Sequence, residues 1–179
     1  MFYILGIVAG VIVLALIVLL LVAAMQPAAF KIERSAVVAA PPEKVYGLIE
    51  DFHQWSKWSP WERLDPSLQR TYSGAEKGTG AKYSWVGNKK VGEGRMTILD
   101  CQPPQKVVIK LEFLKPFAAT NQAMFMLVPE GAGTRVTWSM TGNRPFMMKA
   151  FSLVMNMDKL VGGDFEKGLA NMDAAVRQG

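Results

Sequence analysis

The side chains that most often perform chemistry in proteins are sparse in this chain. His53 and Cys101 are the only histidine and the only cysteine among 179 residues. A Ser-His-Asp or Cys-His arrangement would have to use His53, and apart from nearby Asp51 its flanking residues form no orienting pattern. One cysteine excludes an intrachain disulfide and a cysteine-based zinc site, and one histidine excludes the usual multi-histidine metal sites. The sequence therefore predicts no catalytic residue, no metal site and no cofactor.

Acidic and amide side chains are more numerous, but their positions favour binding over acid–base chemistry. General acid–base catalysis needs a carboxylate, histidine or tyrosine inside a cavity. Five acidic residues could be candidates, but they mostly occupy the polar positions of predicted strands or the strand ends. These residues are Glu33, Asp51, Glu93, Asp100 and Glu112. Asn121 and Gln122 lie mid-strand, where one of the two must point inward. We expect Asn121 to hydrogen-bond a ligand.

The first thirty residues carry no charged side chain, and nearly every residue from Phe2 to Met25 is apolar. A helix of this length spans roughly 36 Å, enough to cross a hydrocarbon core of about 30 Å. The competing interpretation is a signal peptide cleaved after Val22-Ala23-Ala24. However, no lysine or arginine precedes the run, and the run is longer than the roughly 7 to 15 residues of a signal-peptide core. The prediction is a transmembrane anchor over residues 1–26, a linker over 27–29 and one soluble domain over 30–179.

The charges next to this run bear on orientation and partners. Lys31, Glu33 and Arg34 all follow its C-terminal end, so the positive-inside bias leans toward a cytoplasmic soluble domain in a single-pass membrane protein. Gly6 and Gly10 form a G-x-x-x-G spacing, which would allow a homodimer through two closely packed anchors.

The net charge of +5 is spread singly along the soluble part, apart from the pair Lys89-Lys90. This pattern predicts no nucleic-acid partner, and a diffuse positive surface beside an anchor better suits anionic lipid headgroups. The glycine-rich segment 74–80 lacks the Lys-Ser/Thr of a phosphate loop, which excludes a nucleotide site of that type.

Two-residue alternation predicts an antiparallel sheet in the soluble part. A first strand over 30–38 is followed by a short helix from Glu43 to Asp51 and by a second short helix in an aromatic-rich segment. Six further strands are then predicted, over 68–73, 80–86, 89–100, 105–113, 120–129 and 134–141. Gly87-Asn88 is expected to form a two-residue hairpin turn.

The chain closes with apolar residues at helical spacing from Pro145 to Arg177. The apolar stripe contains Met147, Phe151, Val154, Met157, Val161, Phe165, Leu169, Met172 and Val176. Gly162-Gly163 is expected to weaken or divide this helix, with Asp164 able to cap a second segment. A curved sheet of about seven strands with one apolar face, and one long amphipathic helix to cover it, predict an α+β helix-grip fold preceded by a transmembrane helix.

Several motifs resemble those of the START-related helix-grip (SRPBCC) superfamily, in its polyketide cyclase/dehydrase-like branch. They are A-P-P-E-K-V-Y from Ala40, D-F-H-Q-W-S-K-W-S-P-W from Asp51, G-x-G from Gly78, G-E-G-R-M-T-I from Gly92, G-T-R-V-T-W from Gly133 and D-F-E-K-G-L from Asp164. The similarity covers about residues 30–177. It implies a ligand cavity between the long helix and the sheet and supplies no catalytic residue, since members of one fold differ in function.

The residues expected to line such a cavity are mostly aromatic or flexible apolar side chains, which suit irregular apolar surfaces. They are Tyr83, Trp85, Met96, Ile98, Ile109, Leu111, Phe113, Asn121, Phe125, Trp138, Met140, Met157, Val161 and Phe165. Trp58 and Trp61 are expected at the cavity mouth or at a membrane rim, while Trp55 is expected to plug the end of the sheet.

The sequence therefore predicts a membrane-anchored, non-catalytic binding protein for an apolar small molecule or lipid. Two alternatives stay open. One is an enzyme of polyketide cyclase or dehydratase type, and the other is an accessory subunit of a membrane complex.

Overall fold

A computed structural model describes residues 2–153 and 155–178, without the side chains of Phe2, Leu5 and Ala9. The helices are α1 (Phe2–Met25), α2 (Pro42–Glu50), α3 (Phe146–Ser152) and α4 (Met157–Gln178). Two 3₁₀ turns, Phe52–Lys57 and Pro60–Arg63, follow α2. The strands are β1 (Ala29–Val38), β2 (Gln69–Gly74), β3 (Ala81–Val86), β4 (Glu93–Gln102), β5 (Lys106–Lys115), β6 (Ala119–Glu130) and β7 (Gly133–Asn143).

The seven strands form one antiparallel sheet in the order β1-β7-β6-β5-β4-β3-β2. Strands β2 to β7 pair with their chain neighbours, and β1 joins the far side of β7. With the C-terminal helix α4 beside this sheet, the structure confirms the α+β fold class and the helix-grip architecture. Burial alternates along β5, since Val107 and Ile109 are buried and Lys106 and Lys110 lie on the opposite, wetter face.

The connection between β3 and β4 is longer than predicted. Residues 89–92, expected in a strand after a two-residue turn, instead belong to a loop between Val86 and Glu93. The Gly87 N–H donates to the Gly92 carbonyl over 2.9 Å to close this loop. The Asp65 carboxylate accepts the Asn88 N–H over 2.6 Å. This long-range bond holds residue 88 outside the ladder.

The C-terminal helical region divides earlier than predicted. The break lies between Ser152 and Met157, and α4 runs unbroken through Gly162-Gly163. Asn156 begins α4 by accepting the Lys159 N–H on its side chain over 2.9 Å, as an N-cap residue does. Asp164 therefore caps no helix, and Val154 lies outside the described residues.

A packing requirement explains why a glycine occurs at position 162. A Cβ there would collide with the guanidinium of Arg34, which lies across this turn of α4. Arg34 donates to Asp158 over 2.9 Å and to Glu166 over 2.8 Å. The glycine thus allows close approach between β1 and α4.

Helix α1 carries its large apolar side chains on the outside. Within the described residues, Gly6–Met25 is the one helix long and apolar enough to cross a membrane, by length and composition, and a signal sequence meets the same criteria. The helix ends beside α3, where the Ser152 hydroxyl donates to the Gln26 side-chain carbonyl over 3.2 Å.

Candidate functional site: two apolar cavities beside the long helix

The first cavity, which we call the distal cavity, lies between the sheet and α4 on the side away from α1. Its volume is about 300 Å³. Its wall combines aromatic side chains of the sheet and of the 3₁₀ turns with the helix side chains Leu160, Val161 and Phe165. The predicted residues in this wall are Tyr83, Trp85, Met96, Leu111, Phe113, Trp138, Met140, Val161, Phe165 and Trp61.

The second cavity, the proximal cavity, lies next to the point where the chain leaves α1. Its volume is about 320 Å³. Its wall includes Phe30 of β1, the connection between β5 and β6, and the start of α3. Of the predicted residues, Phe113, Asn121, Met140, Met157 and Val161 lie in this wall.

Three side chains are common to both walls: Phe113, Met140 and Val161. They come from β5, β7 and α4. Residues of both the sheet and the helix therefore separate the two cavities, and we call this place the junction. A methionine has three rotatable bonds and adapts to irregular surroundings. Met140 is therefore the most adaptable of the three side chains shared by the two walls.

An aromatic stack fixes α4 over the sheet. The rings of Trp138 and Phe165 are nearly parallel, with centroids 4.1 Å apart. A Cβ at Gly168 would lie 2.7 Å from Cζ3 of Trp138, so only a glycine lets the helix backbone approach this ring. The stack forms one rigid side of the distal cavity.

Several predicted residues are packed into the core and line neither cavity. Ile98, Ile109 and Phe125 are buried among core neighbours. Trp58, expected at the mouth or at a membrane rim, is also buried. Its indole N–H donates to the Leu48 carbonyl over 2.8 Å, and its ring packs against Phe125 and Trp138. That expectation for Trp58 is corrected. Trp61 is half-buried in the distal wall.

Two buried polar atoms in the cavity walls have no partner among the described residues. They are the side-chain oxygen of Asn121 in the proximal wall and the indole nitrogen of Trp138 in the distal wall. The Asn121 amide group itself donates only to the sulfur of Met140, at 3.8 Å. Buried polar groups are normally hydrogen-bonded. Both atoms are fully buried, the Asn121 oxygen lying against Gly142, so neither faces the free space of its cavity.

Sequence reasoning missed the acidic residue Glu62 in the distal wall. Glu62 is 7% exposed at its side chain and accepts from Arg70 over 2.6 Å and from the Tyr83 hydroxyl over 2.5 Å. Burial, assisted by this bond to the carboxylate, raises the pKa of Tyr83, so its phenol stays protonated. Glu62 follows Trp61 in a 3₁₀ turn, while its partners come from β2 and β3, and no local sequence signal brings these three together.

The pair Asp51 and His53 lies outside both walls. The His53 ring stacks on Tyr72 with centroids 4.1 Å apart, and its Nδ1 lies 2.9 Å from Oδ1 of Asp51. Partial burial opposes ionisation of Asp51, but hydrogen bonds from the His53 backbone and ring outweigh it and lower the pKa of Asp51. The pair caps the turn after α2.

Comparison with known proteins agrees with this architecture. Residues 29–177 match the family described as polyketide cyclase/dehydrase and lipid transport. The chain belongs to this family. No curated protein is significantly similar to the chain in sequence.

Solved structures share the family's fold at low sequence identity. TTHA0849 from Thermus thermophilus is 19% identical, with 83% of this chain and 98% of that chain covered and a TM-score of 0.59. A Thermobifida fusca protein solved by NMR is 21% identical over 82% of this chain and 93% of that chain, with a TM-score of 0.61. The Aha1 dimer from Colwellia psychrerythraea is 13% identical over 82% and 95% of the two chains, with a TM-score of 0.58. At these identities the likeness concerns the fold of the polyketide cyclase/dehydrase and lipid transport family alone.

Proposed function

We propose that this protein is a membrane-anchored binding protein for an apolar small molecule or lipid and catalyses no reaction. The observation that carries the proposal is the pair of apolar cavities that meet at Phe113, Met140 and Val161. Each has a volume at the lower end of the roughly 300 to 1,000 Å³ typical of ligand pockets. Joined, they would accept an elongated molecule.

The unpartnered polar atoms refine the ligand class. Once the side chains around these buried atoms move aside, the Asn121 oxygen would accept a hydrogen bond from the ligand, and the Trp138 indole would donate one. An apolar ligand with a hydroxyl, amide or carbonyl group would satisfy at least one of them. Since an unpaired buried polar group costs about 1 to 3 kcal/mol, this pairing would favour such a ligand over a plain hydrocarbon.

Native mass spectrometry of the full-length protein, extracted from its membranes in mild detergent, tests the binding proposal. We expect a bound apolar compound. The change Val161→Phe fills the junction and should remove that compound, whereas Lys159→Phe, at an exposed position of the same helix, should retain it. Bound compound in neither the wild type nor the control would contradict the proposal.

The anchor rests on α1, which has 24 residues and an apolar surface that water would solvate poorly. After a carbonate wash, the full-length chain should stay with the membrane fraction, and a chain beginning at Ala28 should not. A mature protein that begins at Met25 would instead establish a cleaved signal peptide. Lys31 and Arg34 after the helix favour a cytoplasmic domain, which reporter fusions at the C-terminus would test.

An enzyme is the second candidate function, and Glu62 is the observation that favours it. Its carboxylate is buried in the distal wall and is held by Arg70 and Tyr83. Such a group could act as a general base on a substrate in that cavity. Both of its oxygens already accept hydrogen bonds, however, so taking a proton from a substrate would require one of these bonds to break. For this reason binding alone is preferred.

A further inference from the structure

The elements around the opening of the proximal cavity expose an unusual number of large apolar side chains. In α3, Phe146, Met147 and Phe151 are all exposed, and Met147 is 67% exposed. Positions 147 and 151 are four apart and lie on one face of the helix. A helix with such a face normally packs on protein or lies in a membrane interface.

The connection between β5 and β6 adds to the same surface. Phe117, in this connection, is 62% exposed. Phe117 also lines the proximal cavity together with Pro145 and Met148 of the α3 region. The cavity therefore reaches the protein surface between α3 and this connection.

The position of α3 next to the end of α1 indicates that a bilayer covers this surface. The Arg144 N–H, just before α3, donates to the Ala28 carbonyl over 2.8 Å. At the other end of α3, Ser152 bonds Gln26. Both ends of α3 are thus tied to the three residues that follow α1. If α1 crosses a bilayer, α3 cannot be far from its surface.

The cationic side chains near this surface also favour contact with a bilayer. Arg144 stands with its guanidinium carbon 5.8 Å from the centre of the Phe30 ring, and its Nε is buried without a partner among the described residues. Lys149 belongs to α3 itself. Cations beside exposed apolar side chains are typical of segments that contact anionic headgroups.

We propose that α3 and the β5–β6 connection insert into the headgroup region of the bilayer that holds α1, so that the proximal cavity exchanges its ligand directly with the membrane. This inference rests on the proposed anchor and cavity. It places the membrane-contacting surface at Phe117 and Met147, at the end of the domain away from the tryptophans in the 3₁₀ turns.

Fluorescent labelling of single cysteines tests the proposal in the full-length protein. In a Cys101→Ser background, Phe117→Cys and Met147→Cys would each carry an environment-sensitive nitrobenzoxadiazole group in vesicles of phosphatidylcholine and phosphatidylglycerol. The matched control is Val128→Cys, an exposed apolar position near the other end of β6. We expect blue-shifted emission and quenching by nitroxide-labelled lipid at 117 and 147, and quenching by aqueous iodide at 128.

Flotation of the same vesicles separates the possible failures. Iodide quenching at 117 and 147 in protein that floats would overturn the membrane contact and leave the anchor intact. Protection from both quenchers would also overturn it and would indicate a second copy on this surface. Protein that does not float would refute the anchor, and the inference with it.

Discussion

The hydroxyl of Tyr83 lies 2.5 Å from Oε1 of Glu62 and donates a hydrogen bond to it inside the distal wall. Arg70 holds the other carboxylate oxygen. The phenol and the guanidinium are both donors, so both oxygens of Glu62 have a hydrogen-bond partner in this polar network. This arrangement stabilises the end of the cavity. A change at Glu62 therefore distinguishes most clearly between a binding protein and an enzyme.

The change Glu62→Gln should leave the affinity for the compound recovered from the native protein within about threefold, or under 0.7 kcal/mol. An amide has nearly the shape of the carboxylate and its oxygen still accepts from Tyr83, while its nitrogen can no longer accept from Arg70, which is a bond that does not involve the ligand. An enzyme that used Glu62 for proton transfer would lose about a hundredfold or more in turnover. Titration of the recovered compound, with product analysis, measures both quantities.

Two variants outside the cavities serve as controls for that experiment. His53→Ala and Asp51→Asn alter the turn after α2 and should change neither affinity nor product formation. Turnover by the wild type that collapses in Glu62→Gln but not in these variants would refute the non-catalytic proposal.

Leu111→Arg should destabilise the protein by several kcal/mol, because it places an unpaired charge in an apolar wall. Its neighbour Lys110 points to the other face, where its ammonium lies 3.0 Å from Glu112. Lys110→Gln should therefore cost less than about 1 kcal/mol. Chemical unfolding of both variants in detergent would compare them, and a larger loss for Lys110→Gln would mean that the faces are reversed.

Two glycines of α4 form a matched pair. Gly168→Ala should destabilise the protein by about 1 to 3 kcal/mol, because its Cβ would press on the indole of Trp138. Gly163→Ala meets no atom within 4 Å and should stabilise the helix by up to about 1 kcal/mol. Thermal unfolding would show shifts of opposite sign, and equal shifts would contradict the close packing of α4 on Trp138.

Acid should weaken one ion-pair cluster on the outer face of the sheet. Hydrogen bonds from Arg95 and then Lys110 lower the pKa of Glu112 from 4.5 to about 2. A lowered folded-state value means that the stabilisation is present above about pH 4.5 and is lost as the pH falls toward 2. Glu112→Gln should flatten the fall in unfolding free energy over this interval, and Glu76→Gln, in the β2–β3 loop, should not. Unfolding curves at a series of pH values provide the test.

Residue periodicity was enough to predict the sheet and the helix that covers it. Val107 and Ile109 are buried and Lys106 is on the opposite face, because a period of two places alternate side chains on opposite sides. The break between α3 and α4 was placed wrongly, since Gly162 serves the approach of Arg34 and a helix tolerates a glycine when packing requires it.

Residue types and spacing predict which side chains can leave water, but the packing of distant elements fixes which of them are buried, which border a cavity and which, such as Met147, stay exposed. Ile98 and Phe125 are as apolar as Met140, yet they fill the core while Met140 lines both cavities. A cavity is the space left where side chains from distant elements do not meet, and that depends on sheet curvature and helix position. The Glu62 cluster likewise required three elements to come together, so no local pattern could predict it.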